Sequence, residues 1–423
     1  MVTGTALSGV RVIDLAEVWA GPFGACLLAD MGADVVKVES FPRRSLTRPL
    51  VPDARVADGP GPVYERVDSQ IQGNRNKRHI AIDFRSEGGA GILRRLLRWG
   101  DVIIEGFAAG TIDRAGFGWE AVHGINPRIS MISMPAWGVR GPYRGYVALG
   151  SSIDAHVGHV SLRGVPGGAV EDVPGGFHTD ATSPIEVVFA ALAALNRRER
   201  TGEGSFIDLS QAEGFAWALA GSLAEWEIAG RVPEPLGNRD PHVVPHGCYP
   251  SAVPEQWVVV CAETDAQWAG LAEALGHPEW AEDGHAWASA AGRLRAREEI
   301  DRAIAAFTSA RAQADSADDL QSRGVIAAPV AAPSALLPSP QLQHRGWFQP
   351  VDQPYFGTRL FPGFLWQMAP DPPEYERPSG LIGEHNRDVL SGLGYGEGEI
   401  RALEEAYAIG DRYDAETEAR LGA

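Results

Sequence analysis

The chain has 423 residues, 44% of them hydrophobic and 22% charged, and carries a formal net charge of -18. Such acidity makes nucleic acid or an anionic membrane surface a poor main partner, and no apolar run approaches the roughly 20 residues a membrane-spanning helix needs. Its three cysteines, Cys26, Cys248 and Cys261, form no CxxC and have no metal-ligand spacing to histidine, so neither a disulfide framework nor a metal site is expected, as suits the reducing cytoplasm.

Val10 to Leu15 reads as an apolar strand, Pro22 opens a helix carrying Phe23, Leu27, Leu28 and Met31, Gly32 ends it, and Asp34 to Glu39 gives a second strand. This is a unit of the kind that builds a parallel sheet. The loop after the first strand lacks GxGxxG and the P-loop pattern, which leaves dinucleotide and ATP binding unsupported. Arg75, Lys77 and Arg78 form a basic cluster ahead of a strand at Ile80 to Phe84, read either as a phosphate contact or as a solvated face. Ser86 caps a helix carrying Ile92, Leu93, Leu96 and Leu97, and strands follow at Asp101 to Glu105 and Ile129 to Ser133. A parallel sheet with helices on both faces is the economical architecture. Its ligands would bind beyond the carboxyl ends of the strands, around Val18 to Ala20, Arg85, Gly106, Phe107 and Arg114. Guanidinium groups and a flat ring there suit the phosphates and the base of a nucleotide.

The stretch from Gly175 to Glu213 organises the rest. Ser183, Pro184, Ile185 and Glu186 read as a capping box with proline at the first helical position. Ile185, Val188, Phe189, Leu192 and Leu195 then make an apolar stripe facing a core. Arg197, Arg198 and Arg200 load the last turn, Gly202 and Gly204 end the helix, and Phe206 to Leu209 suit a short strand. Asp180 is expected in the loop just before this helix, exposed and ionised, with His178 on the same face of an extended segment. Gln211 to Gly230 is a helical stretch leading to a loop at Arg231 to Pro245. Trp257 to Cys261 reads as a buried strand, and Asp265 to Leu275 and Glu298 to Phe307 as amphipathic helices. The domains are therefore placed at 1–210 (large domain), 211–240 (linker helix and loop), 241–330 (small α/β domain) and 331–423 (return linker and remainder of the large domain).

The run Asp180, Ala194-Leu195, Arg198, Thr201-Gly202, Gly204 and Asp208 resembles the aspartate-helix-TGxG signature of the class III CoA-transferases, the CaiB/BaiF family. The segments GVRVIDLAEVWAGPFGACLLADMGADVVKVES, NRNKRHIAIDFRSEGG, DVIIEGFAAGTIDRAGFGWE and IGEHNRDVLSGLGY resemble further blocks of the family in the right order, so the resemblance covers nearly the whole chain. It implies a Rossmann-like large domain made from both chain ends, a smaller middle domain, and two subunits interlocked as linked rings. Asp180 falls on the family's nucleophile. Ile82, Arg85, Gly106, Phe107 and Arg114 fall on positions that commonly contact CoA, with Arg48 a further one, and Val18 and Ala20 join them as candidates from their place beyond the first strand. Where the family often has a polar and a basic residue, this chain has Trp19 and Ser40.

The implied activity is transfer of CoA from an acyl-CoA donor to a carboxylic acid acceptor, with CoA as substrate and no permanently bound cofactor, through an aspartyl mixed anhydride and an aspartyl-CoA thioester. A carboxylate attacks a thioester without first losing a proton at pH 7, unlike serine or lysine. Backbone N–H groups near Gly175, Gly176 and the helix N-terminus are candidates for holding the oxyanion. One alternative is an α-methylacyl-CoA racemase, whose Gly-His-Asp is replaced here by Gly145, Tyr146 and Val147, with His156 or His159 as substitutes. The other is a non-catalytic subunit of a heteromeric enzyme. Trp19, Trp137, Trp347 and Trp366 are candidates for lining a bulky acyl pocket.

Overall fold

The computed structural model describes residues 5–46, 48 and 59–413. They divide into two compact units, one of Met1–His159, Gly175–Ile228 and Gly346–Ala423, the other of Val160–Pro174 and Ala229–Arg345.

The first unit is built on a sheet of β1 (Arg11–Asp14), β2 (Asp34–Ser40), β3 (Arg78–Ile82), β4 (Val102–Glu105), β5 (Ser130–Ser133) and β6 (Phe206–Asp208). The spatial order is β3-β2-β1-β4-β5-β6 and every pairing is parallel. Val12, Ile13, Ile103 and Ile104 are fully buried, as strands covered on both faces require. On one face Val12 and Ile104 pack with Leu27, Leu28, Val187 and Ala191; on the other, Ile13 and Ile103 pack with Ile92, Leu96, Leu390 and Ile400. The helices that position the site are α1 (Ala20–Asp30), α2 (Glu87–Trp99), α3 (Gly150–His156), α4 (His178–Thr201) and α5 (Gln211–Ala216). Ser86 caps α2 as the sequence predicts, its hydroxyl accepting from Gly89 N at 3.1 Å.

The basic cluster is neither solvated nor free. Strand β3 begins at Arg78, two residues before the expected start, because Arg78 already pairs with Val36. Arg75 is paired with Asp30 at 2.6 Å, and Lys77 donates to Asp14 at 2.8 Å, to Asn74 at 2.9 Å and to the Pro22 carbonyl at 2.7 Å. Both readings are corrected for Arg75 and Lys77, whose charges compensate carboxylates that the fold has buried, where an uncompensated one would be costly; Arg78 pairs instead with the exposed Asp34 and Asp388.

Helix α4 starts at His178, not Ser183. The carboxylate of Asp154 on α3 accepts from the N–H groups of His178 and Thr179, both at 3.2 Å, and so caps the helix from 24 and 25 residues away. Pro184 lies inside the helix, where it has no N–H to give the Asp180 carbonyl. The buried face is also different from the expected stripe. It is made by Pro184, Val187, Val188, Ala191, Ala194 and Leu195, whereas Ile185, Phe189 and Leu192 are exposed. Small residues face α1 because the helices approach closely: a Cβ on Gly24 would lie 2.9 Å from the Val187 side chain.

The second unit has an antiparallel sheet of β7 (His246–Pro250), β8 (Trp257–Cys261) and β9 (Ile326–Pro329), with helices at Asp265–Ala274 and Arg297–Ser309. Its core includes Trp268, Leu271, Ile300 and Ile304. Strand β8 is buried on one face only, since Trp257 and Val259 are exposed. The first unit is completed by a hairpin of β10 (Phe348–Gln353) and β11 (Gly357–Pro362). Among the described residues no helix is long and apolar enough to cross a membrane.

Candidate active site

The strand order reverses between β1 and β4, the switch point at which open parallel sheets bind ligands. Beyond the carboxyl ends of β1, β4 and β5 lies a cavity of about 400 Å3. Its floor comes from Ala16 to Val18, Ala20, Gly21, Gly106 to Ala109 and Met134 to Trp137, and its wall from Tyr146 to Gly150, Ile153, Phe177 and Asp180.

The floor is fixed from below. Asp14 accepts from Ala16 N at 3.0 Å, and Lys37 donates to the Ala16 carbonyl. Burial opposes ionisation of Asp14, but Lys37 and Lys77 outweigh it and hold the carboxyl below its ordinary value. Above this anchor Val18 has φ 70°, a left-handed conformation that a β-branched residue adopts only under constraint. The constraint turns Val18 out to the cavity.

Asp180 lies in the first turn of α4, half-buried, rather than in an exposed loop. Burial, and then the nearby Asp154 carboxylate, push its carboxyl up to about 6. Asp154 is 1% exposed and accepts from His178 Nδ1 at 3.0 Å. Burial would raise its pKa, but the His178 side chain and the two capping N–H groups hold it low. Asp154 therefore stays charged and pushes proton affinity onto Asp180. Successive helical positions i and i+2 point about 200° apart, so His178 does not share a face with Asp180 as an extended segment would require. Asp154, His159 and His178 bring donor atoms within 4.8 Å of one another; the hydrogen bond between His178 and Asp154 accounts for the closest of these contacts. Gly150 opens α3 directly against Asp180, where a Cβ would stand 2.0 Å from Oδ2.

The structure brings Val18, Ala20, Gly106, Phe107 and Asp180 together on this cavity. Arg114 lies in an adjoining recess of about 850 Å3 that shares Ala108, Ala109 and Arg144 with the first cavity. The recess also holds Arg140, Trp119 and Phe206, together with Glu105, Asp113 and Glu120. Burial pushes the Glu105 carboxyl up to about 7, against hydrogen bonds from Ser133 and Phe107 N. Three other expected residues are elsewhere. Ile82 is buried beside Ile409, and Arg85 is exposed past the end of β3, on neither cavity. Arg48 is fully buried, donating to Glu39 at 2.5 and 2.8 Å, to Glu65, and to the Gly380 carbonyl at 3.1 Å. A guanidinium so enclosed has no face left for a phosphate. The helix N-terminus, whose N–H groups were expected at an oxyanion, begins not at Ser183 but at His178, and the N–H groups of His178 and Thr179 are taken by Asp154.

Of the four tryptophans singled out, Trp137 lines the cavity and packs edge-on against His156 at 4.4 Å. Sequence reasoning missed Asp154 and Gly150, which carry no local motif, and Gln211, whose Nε2 donates to the Met134 carbonyl at 3.0 Å at the cavity edge.

The profile of CoA-transferase family III matches residues 7–386. The chain belongs to that family. It is 30% identical over 417 residues to the succinyl-CoA--D-citramalate CoA-transferase of Chloroflexus aurantiacus, covering 95% of this chain and 98% of that one. It is 32% identical over 403 residues to the succinate--glutarate CoA-transferase of Agrobacterium fabrum, covering 92% and 95%. A crystal structure of a CaiB/BaiF family protein from Brucella suis superposes with a TM-score of 0.81 at 27% identity, covering 92% of this chain and all of that one. This family III member is thus a CoA-transferase, with CoA as part of its substrate, and its α/β fold on a six-stranded parallel sheet is that of its structural neighbour.

Proposed function

We propose that Asp180 is the nucleophile of an acyl-CoA:carboxylate CoA-transferase. The observation that carries this reading is the position of its half-buried carboxylate on the wall of the cavity at the sheet's switch point, with its pKa at about 6. A carboxylate of that basicity is mostly ionised at pH 7, yet more nucleophilic than one of ordinary pKa.

Asp180 attacks the thioester carbonyl, the C–S bond breaks, and CoA leaves as thiolate, giving an aspartyl-acyl anhydride. The thiolate attacks the aspartyl carbonyl and expels the donor acid, giving an aspartyl-CoA thioester. The acceptor carboxylate attacks that thioester to form a second anhydride and free thiolate, which then attacks the acceptor carbonyl and regenerates Asp180. No step requires a proton from the protein. Val18, Ala20, Gly106 and Phe107 border the thioester end of CoA. Arg114, with Arg140 and Arg144, faces its phosphates, and Trp119 offers a ring for its adenine.

Racemisation is the weaker reading, because the described lining of the cavity contains no histidine. His156 packs on Trp137 and Tyr143, and His159 on His178 and Phe215. The exposed apolar face of α4, at Ile185, Phe189 and Leu192, and the exposed Trp217, Trp226 and Ile228 support a second copy of the chain as partner in a homodimer. Light scattering on dilution tests it, a monomer being the contrary result.

The mechanism is tested by trapping. Hydroxylamine with acyl-CoA, but not alone, should convert Asp180 to a hydroxamate located by peptide mass spectrometry. An adduct on another residue, or an active Asp180→Ala variant, would sink it.

A further inference from the structure

The two cavities divide the site by polarity. Around Asp180 the apolar lining is Met134 and Trp137 on the floor and Leu149, Ile153 and Phe177 on the wall, whereas the guanidiniums of Arg114 and Arg140 lie in the neighbouring recess. Arg144, which is exposed, borders both. Among the described residues, the other charged group on the Asp180 cavity is Glu17, a second carboxyl, whose pKa burial raises against the pull of Lys37. Lys37 itself is fully buried beneath the floor and spent on the Ala16 carbonyl. A second carboxylate on the transferred acid would leave water for an apolar wall and face a like charge, and burying a charge without a partner is among the costliest events in a protein. An apolar body in the same place is favoured in proportion to the surface it removes from water.

We infer that the acids this enzyme exchanges on CoA are monocarboxylic acids with an uncharged, apolar body, up to the size of a phenyl ring on a short chain. The inference rests on the Asp180 reading and adds the class of acyl group to it. Trp137 is the surface on which a ring would stack, and Ile153 and Leu149 close the side next to Gly150. The departure from succinyl and glutaryl groups, which appear in the relatives' names, follows from the scarcity of cations among the described residues of this lining, where Arg144 is the one guanidinium.

The test is exchange of isotopically labelled acid into its own CoA thioester, which isolates one acyl group per assay. Phenylacetate with phenylacetyl-CoA should exchange with kcat/KM at least about tenfold above that of succinate with succinyl-CoA, the scale on which an apolar pocket discriminates. Equal or faster succinate exchange overturns the inference and leaves the Asp180 mechanism standing. Failure of every acid to exchange would instead count against that mechanism. The acyl class is then decided by competition binding of the two thioesters to Asp180→Ala, where tighter succinyl-CoA overturns it and tighter phenylacetyl-CoA upholds it. Leu149→Arg adds a guanidinium at an exposed wall position and should narrow the ratio several-fold in favour of succinate; an unchanged ratio overturns the placement of the acyl body against Leu149.

Discussion

Gly150 and Asp180 meet without room for a side chain between them: a Cβ on Gly150 would stand 2.0 Å from Asp180 Oδ2 and 2.7 Å from its Cγ. Because Gly150 starts a helix, alanine there costs the helix itself nothing. Gly150→Ala is therefore expected to fold with an unchanged melting temperature and to lose at least about 100-fold in kcat by displacing the carboxylate. Thermal denaturation and steady-state kinetics on the same preparation check it, and full activity would mean that Asp180 works from another rotamer.

The pH profile should report the Asp180–Asp154 pair. If Asp180 reacts ionised as proposed, kcat/KM, which reports the free enzyme, should fall with unit slope below about pH 6. Asp154→Asn removes the second of the two causes that raise Asp180, so the acid limb should move to lower pH. It should not reach the ordinary aspartate value, because burial, the larger cause, remains. The variant keeps acceptor capacity on one oxygen for the cap of α4. An acid limb that stays in place would show that Asp154 acts on structure alone.

Arg114→Ala should raise the apparent KM for acyl-CoA by about tenfold or more while kcat changes little, the pattern of lost uniform binding. Its guanidinium is held by Thr111 Oγ1 at 3.0 Å on the surface of the recess, so stability should be unaffected. An unchanged KM would remove the recess from the CoA site.

Arg48→Met should behave in the opposite way. It strands Glu39 and Glu65 in the interior, and removing one partner of a buried pair costs about 3 to 5 kcal/mol. The expected result is a large fall in denaturation midpoint with KM for acyl-CoA unchanged in the protein that stays folded. Glu39, which Arg48 and His79 hold below its ordinary pKa against the penalty of burial, contributes stability above the unfolded carboxylate's pKa. The wild-type stabilisation therefore fades as pH falls below that value. A raised KM with normal stability would return Arg48 to the CoA site.

The strands and α2 were legible because a fully buried parallel strand is an apolar run wherever it occurs, and Ser86 is a local cap. Helix α4 was not. Ser183-Pro184-Ile185-Glu186 is a strong local start signal, but the cap that operates is Asp154, on another helix. Periodicity also favoured the bulky Ile185 and Phe189 over Val187 and Ala191, although close approach to Gly24 selects small residues for the buried face. That Asp180, Val18, Ala20, Gly106 and Phe107 meet on one cavity was legible because they follow strand ends or carry a long motif. Arg48 and the Arg75–Lys77 cluster misled because charge in a sequence does not say whether its counter-charge is a ligand or the protein's own carboxylate.

The buried ladder of Lys77, Asp14 and Lys37 under Ala16 has a consequence for how this scaffold changes its substrates. The backbone at Ala16 on the cavity floor is fastened from below by these buried charges, while Tyr146, Val147 and Leu149 in the lining are exposed. Substitutions in that rim can reshape what is admitted without loosening the floor of the cavity. A library aimed at new acids would diversify residues 146–149 and leave positions 14, 37 and 77 alone.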